Sequence, residues 1–159
     1  MDVELTVYLA GEIHTDWRDR IADGVEEHDL PVDLTGPETD HSASDEVGAA
    51  ILGPEESDFW KDHKGAKINA MRNRTLIGEA DLVVVRFGDK YRQWNAAFDA
   101  GYAAALGTPT IVLHGKEHTH ALKEVDAEAY AVCETPEQVV AILRYITRGE
   151  LSRPSPSLS

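Results

Sequence analysis

Short β-branched runs alternate with helical patterns along this chain, and that alternation constrains the fold more than any other feature. Residues 3–10, "VELTVYLA", form an apolar run bounded by Gly11. A helical pattern follows over "WRDRIADGVEEH", with Asp16 placed to cap it, and "LPVDL" reads as a second strand ending at "TGP". From Thr35 to about Asp58 the chain is polar and acidic and reads as a loop. "FWKDHKGAKINAMRNRTLIGEA" is helical, with Ile68, Met71, Leu76 and Ile77 at roughly helical spacing. "DLVVVRF" is the clearest buried strand, and "WNAAFDAGYAAALG" supplies the next helix. "PTIVLH" is another strand, "HALKEVD" a short helix and "AYAVCE" an edge strand. The closing helix, "TPEQVVAILRYITRG", has Thr135 as cap, Pro136 at its first position and Gly149 as its stop. Strands alternating with helices predict a doubly wound α/β domain, Rossmann- or flavodoxin-like, with a five-stranded parallel sheet in the order 2-1-3-4-5. The domain is expected over residues 1–148, followed by a disordered Ser/Pro-rich tail over 149–159.

Composition narrows the function classes. A chain of 159 residues with 42% hydrophobic content suits one domain with a sizeable core. No apolar run is long enough to span a membrane, and "MDVELTVYLAG" lacks the basic start of a signal peptide. The single Cys133 cannot form an internal disulfide, so a cytoplasmic protein is expected. The formal charge of −14 repels a nucleic-acid partner. The acids are scattered rather than collected in a tail, as expected of a halophilic protein whose salty cytosol screens carboxylate repulsion.

Ligands of parallel sheets bind beyond the carboxyl ends of the strands. Asp99 lies in the opening turns of the helix that leaves "DLVVVRF" through the loop "GDKYRQWN", so it should sit at that edge. There it is either a helix N-terminal charge or a nucleophile towards a sugar carbon, kept ionised by the helix N-terminus. On the same edge, Tyr8 is either a plug or a group that positions a carboxylate or sugar hydroxyl. Gly11, Glu12 and His14 occupy the first loop, and His14 can serve as general acid to a leaving base, since imidazole titrates near about 6.5. Asp40, His41, Ser44 and Asp45 follow the second strand, as a ribose-binding loop, a lid or a solvated acidic loop. Arg86 and Arg92 flank the next loop and suit a nucleotide phosphate or an ion pair with Asp89 or Asp99. Gln93, Trp94 and Asn95 can stack on and hydrogen-bond a base. Trp60 reads as a core residue, or with Lys61 and His63 as a lid.

"VYLAGEIHTDW", "GPETDHSASD", "FWKDHKGAKINAMRNRTLI" and "ADLVVVRFGDKYRQWNAAFDAGYAAALGTPTIVLH" resemble the YtoQ family over residues 5–146. More remotely, the chain is similar to the nucleoside 2-deoxyribosyltransferases. That likeness rests on "YLAG", on "AD" before an apolar strand, and on acid-x-Gly-x-Ala followed by Gly-x-Pro. Asp99, Gly101, Ala103, Gly107 and Pro109 fall in step with it. In those transferases the acid is the nucleophile that forms a glycosyl ester. The resemblance therefore implies the same role for Asp99, cleavage or exchange of an N-glycosidic bond, and a pocket completed in a homodimer or larger homo-oligomer. The pattern departs at three places. Asp99 is one methylene shorter than the usual Glu, Glu12-Ile13 replaces a Pro-aromatic pair after "YLAG", and Gln93 and Asn95 stand near the place of a base-contacting acid. A shift of about 1 Å can cost on the order of 100-fold in rate.

No cofactor is implied. The chain has no Walker pattern and no G-x-G-x-x-G after its first strand, which argues against a kinase or dinucleotide oxidoreductase. His114, His118 and His120 lack a third metal ligand at a characteristic spacing, so no metal is expected. Two readings remain: an N-glycosidase or transferase acting on a nucleoside or nucleotide, and a non-catalytic nucleotide-binding protein.

Overall fold

In the computed structural model, which describes residues 2–91 and 93–151, the five apolar runs form parallel strands: β1 (Leu5–Gly11), β2 (Val32–Thr35), β3 (Leu82–Arg86), β4 (Thr110–Leu113) and β5 (Ala131–Cys133). Their order is β2-β1-β3-β4-β5, and every neighbouring pair is parallel. Six helices connect or flank them: α1 (Trp17–Glu27), α2 (His41–Leu52), α3 (Asp58–Glu79), α4 (Trp94–Ala105), α5 (Lys123–Glu128) and α6 (Pro136–Arg148). A short 3₁₀ turn covers Lys116–His118. Among the described residues no helix is long and apolar enough to cross a membrane.

Strand alternation divides the core in two. Val7, Leu9, Leu82, Val84, Ile111 and Leu113 face Trp17 and Ile21 of α1 and Val139 and Leu143 of α6. Tyr8, Ala10, Val83, Val85 and Val112 face Ile77 of α3 and Ala96, Ala100 and Ala103 of α4. The alanines let α4 lie close to the sheet. α6 is capped as its sequence predicts: the Thr135 hydroxyl accepts from Gln138 N, the Gln138 side chain reaches back, and Gly149 closes the helix with φ 69°.

The acidic stretch expected as a loop contains α2. Asp40 is its N-cap, accepting from Ala43 N at 2.9 Å, and Gly53 ends it. Only Gly48 of this helix is buried, so the stretch carries no large apolar stripe that would reveal its periodicity. α2 packs chiefly on α3. The two helices cross at glycines: a Cβ on Gly48 would lie 2.8 Å from Gly65 N, and one on Gly65 would lie 3.1 Å from the Ser44 and Asp45 carbonyl oxygens. Trp60, expected in the core, is 56% exposed on α3 beside Phe59 and His63, in an opening run, 58–60, whose residues are all exposed. Asp16 precedes α1 at the cap position, yet its side chain accepts no capping hydrogen bond.

Candidate functional site

The order 2-1-3-4-5 reverses direction between β1 and β3, which opens a crevice at their carboxyl ends. A cleft of about 440 Å³ occupies this position. Its lining comes from Gly11 and Ile13 after β1, His41 and Asp45 on α2, Asn69, Asn73 and Arg74 on α3, and Asn95, Phe98 and Asp99 on α4. Gly11 is required where it stands: its φ is 116°, and a Cβ there would collide with the Arg86 carbonyl oxygen.

Asp99 is the sixth residue of α4, counting from Trp94, and so lies beyond the free N–H groups of the first turn. Burial pushes its carboxyl from 3.8 up to about 6. The sequence placed a helix terminus there to favour the charged form; burial acts the other way and favours the protonated form. Behind it, the hydroxyl of fully buried Tyr8 has no hydrogen-bond partner among the described residues. Burial, with the nearby Asp99 carboxylate as the next cause, pushes that phenol above its ordinary range. The Asn73 Oδ1, in the cleft lining, is likewise buried without a partner among the described residues. An unmatched buried polar atom costs free energy, so these atoms suit a ligand that supplies the missing bonds. Phe98 offers a ring for stacking, with the Arg74 guanidinium 5.5 Å from its centroid.

The other residues singled out from the sequence are placed in several ways. Gly11, His41, Asn95 and Asp99 line the cleft together. Gln93 and Trp94 do not; they line a second cleft of about 490 Å³ with Phe87, Tyr91 and His118. Glu12 is buried and its carboxylate is consumed by the first loop, accepting from His14 N at 2.7 Å, Thr15 N at 3.1 Å and the Thr15 hydroxyl. His14 is exposed, meets the Tyr91 ring at a tilt of 50° with centroids 4.8 Å apart, and lies outside the lining of the Asp99 cleft. Asp40 is spent as the cap of α2. Arg86 follows Val85 by one residue and so points to the opposite face, where it lines a small cavity with Trp17, Glu134 and Thr135. Arg92 lies outside the described residues.

Sequence reasoning missed the α3 wall. Asp62, Ala66, Asn69, Ala70 and Asn73 recur at helical spacing, and this stripe of small and polar residues was the available signal. It also missed Arg18. From α1, this side chain donates to the carbonyls of Leu9 at 3.0 Å, Gly11 at 3.2 Å and Glu12 at 2.6 Å, fixing the end of β1. Its burial lowers the guanidinium to about 10.

The histidines considered for metal binding separate. His114 is buried, bonded through Nε2 to Asp126 at 2.9 Å and through Nδ1 to the Gly115 carbonyl at 2.6 Å. His118 meets Asp89 at 3.0 Å. With Glu117 these two bring three possible ligand atoms within 4.8 Å of one another, at the margin of the second cleft. The hydrogen bond to His118 holds Asp89 below its ordinary carboxylate range.

A five-stranded, doubly wound parallel domain with a half-buried acid at its strand-order reversal defines the fold class of this chain. Within that class, the chain belongs to the YtoQ family: the family model described as "Nucleoside 2-deoxyribosyltransferase YtoQ" matches residues 8–147. The protein YtoQ of Bacillus subtilis (strain 168) is 40% identical over 148 residues, covering 93% of this chain and all of that protein. Two solved structures share the fold. A conserved protein from Enterococcus faecalis V583 has TM-score 0.57 and 15% identity, over 89% of this chain and 98% of that one. A 2-deoxyribosyltransferase from Bacillus psychrosaccharolyticus has TM-score 0.53 and 16% identity, over 85% of this chain and 90% of that one.

Proposed function

We propose that this protein cleaves or exchanges the N-glycosidic bond of a nucleoside or nucleotide, with Asp99 as nucleophile. The observation that carries the reading is Asp99 itself: a desolvated carboxyl in a cleft at the β1/β3 reversal, backed by a buried hydroxyl with no partner among the described residues. In its ionised form Asp99 attacks the anomeric carbon. A carbon–oxygen bond forms as the bond to the base nitrogen breaks, and the base departs with that electron pair. Water or a second base then displaces the Asp99 carboxylate. In this reading Tyr8 donates to the carboxylate or to a sugar hydroxyl, and Phe98 and Asn95 hold the base. The family's name and the transferase fold of the Bacillus psychrosaccharolyticus enzyme support this reading.

Incubation with a panel of nucleosides and 5′-nucleotides, with free base read by chromatography, tests it. Base release by the parent protein and none by Asp99→Asn is expected. Ligand binding without release would favour a non-catalytic binding protein. The reading also includes a second copy of the chain as partner, because Phe59 and Trp60 leave apolar surface uncovered on α3. Light scattering should give a dimer or larger mass, and a monomer mass would reject that part.

A further inference from the structure

α2 needs an explanation that stability does not supply. It buries only Gly48, and its apolar residues Ile51 and Leu52 are each 64% exposed. Nevertheless it is fastened to α3 with care. The Asn69 side-chain amide donates to both the carbonyl and the hydroxyl of Ser44 at 2.9 Å. Lys64 reaches the Gly53 carbonyl at 3.2 Å and Glu55 at 2.5 Å, and Lys61 pairs with Glu46. The Gly48–Gly65 crossing brings the two backbones together. A helix held this firmly while burying so little is built to present its free side. That side brings His41 and Asp45 into the lining of the Asp99 cleft. The two are one helical turn apart, with His41 Nδ1 3.0 Å from Asp45 Oδ2. The contact brings the two side chains together, and Nε2 of His41 has no partner among the described residues.

We propose that His41 is the proton donor to the departing base and that Asp45 is its positioning residue. This inference rests on the glycosidic reading above. It replaces His14, which the fold holds outside the cleft against Tyr91. As Asp99 forms its bond to the anomeric carbon, the bond to the base nitrogen breaks. The protonated ring gives its Nε2 proton to a ring nitrogen of the base, which leaves neutral. The ring, now neutral, takes a proton from the incoming water or second base as that group displaces Asp99, and the cycle closes with no net proton gained. The His41 side chain is 76% exposed and lines the same cleft as Asp99.

The test compares guanosine and 2′-deoxyguanosine with their 7-methyl derivatives, each read against an enzyme-free blank. A 7-methylated base is already cationic and leaves without a donated proton. His41→Gln and Asp45→Asn should each lower kcat on the unmethylated nucleosides, by about 100-fold or more for His41→Gln. On the 7-methyl nucleosides both variants should stay within about threefold of the parent, whereas Asp99→Asn should be inactive on both kinds. Equal losses of the two variants on both kinds would overturn the dyad while leaving the Asp99 reading intact, as would full activity of His41→Gln on guanosine. No release by the parent protein from any nucleoside would overturn the glycosidic reading and the dyad together.

Discussion

The two faces of the sheet are built on opposite terms. On the α1/α6 face, Trp17, Ile21, Val139 and Leu143 interlock with Val7, Leu9, Val84 and Leu113, and α6 carries a full capping box. On the α3/α4 face the helix side is made largely of alanine, a 440 Å³ cleft remains open at the carboxyl edge, and Tyr8 and Asn73 keep buried polar atoms without partners among the described residues. The first face packs large apolar side chains against one another, although Arg86 Nε is buried there without a partner among the described residues. The second is lined by small side chains and leaves a cleft at the strand ends, and α2 adds a wall to it while contributing almost nothing to the core. The difference teaches that small side chains on α4 and a wall added by α2 leave room at the strand ends that large apolar side chains take up on the other face.

Substitutions on the two faces should therefore fail in different assays. The largest effect is expected on the open face: Asp99→Asn should lower base release by about 10⁴-fold or more while the thermal midpoint does not fall, as measured by steady-state kinetics and calorimetry. Loss of folding would instead make Asp99 a structural residue. On the closed face, Leu143→Ala should cost about 2–5 kcal/mol in chemical denaturation, because the side chain is fully buried and its neighbours on α1 and the sheet cannot close the cavity. Thr135→Ala should cost about 1 kcal/mol by the same measurement, through the lost cap. Ile51→Ser on exposed α2 should stay within about 0.5 kcal/mol of the parent. A large loss there would show that α2 is part of the core and not an added wall.

Asp99 also makes the comparison depend on pH. Its carboxyl binds a proton more tightly in the folded protein, at about 6, than at its ordinary value of 3.8. Between those values the folded state holds the extra proton, so stability falls as pH rises through the window and levels off above it. Asp99→Asn removes this penalty. Denaturation curves should show the variant gaining on the parent as pH rises from about 4 to about 6, with no gain below about 4. Because the nucleophile must be ionised, kcat/KM of the parent should rise through about pH 6.

Much of the fold was legible in the sequence. "DLVVVRF" and "PTIVLH" are apolar almost without interruption because strands covered on both faces need no polar side, and Thr135-Pro136 with Gly149 marks both ends of α6. α2 was not legible, since its periodicity is carried by one glycine and its cap by an aspartate in a field of acids. Placing Asp99 at the ligand edge followed from the strand–loop–helix order alone, but its charge state did not, because desolvation depends on what α3 and the sheet lay around it. Arg86 shows the converse: a count of two along β3 from Val84 puts it on the α1/α6 face, and its position near the ligand edge concealed that parity. Glu12 could not be told from a ligand group until its bonds to His14, Thr15 and the chain around them were known.

The central claim is that Asp99 forms a covalent bond to the sugar. Its most direct test is rapid acid quenching during turnover of a nucleoside that releases base, followed by peptide mass mapping. A pentosyl adduct is expected on the peptide that carries Asp99 and should be absent from Asp99→Asn. Undiminished base release by Asp99→Asn, or an adduct on a different residue, would contradict the claim.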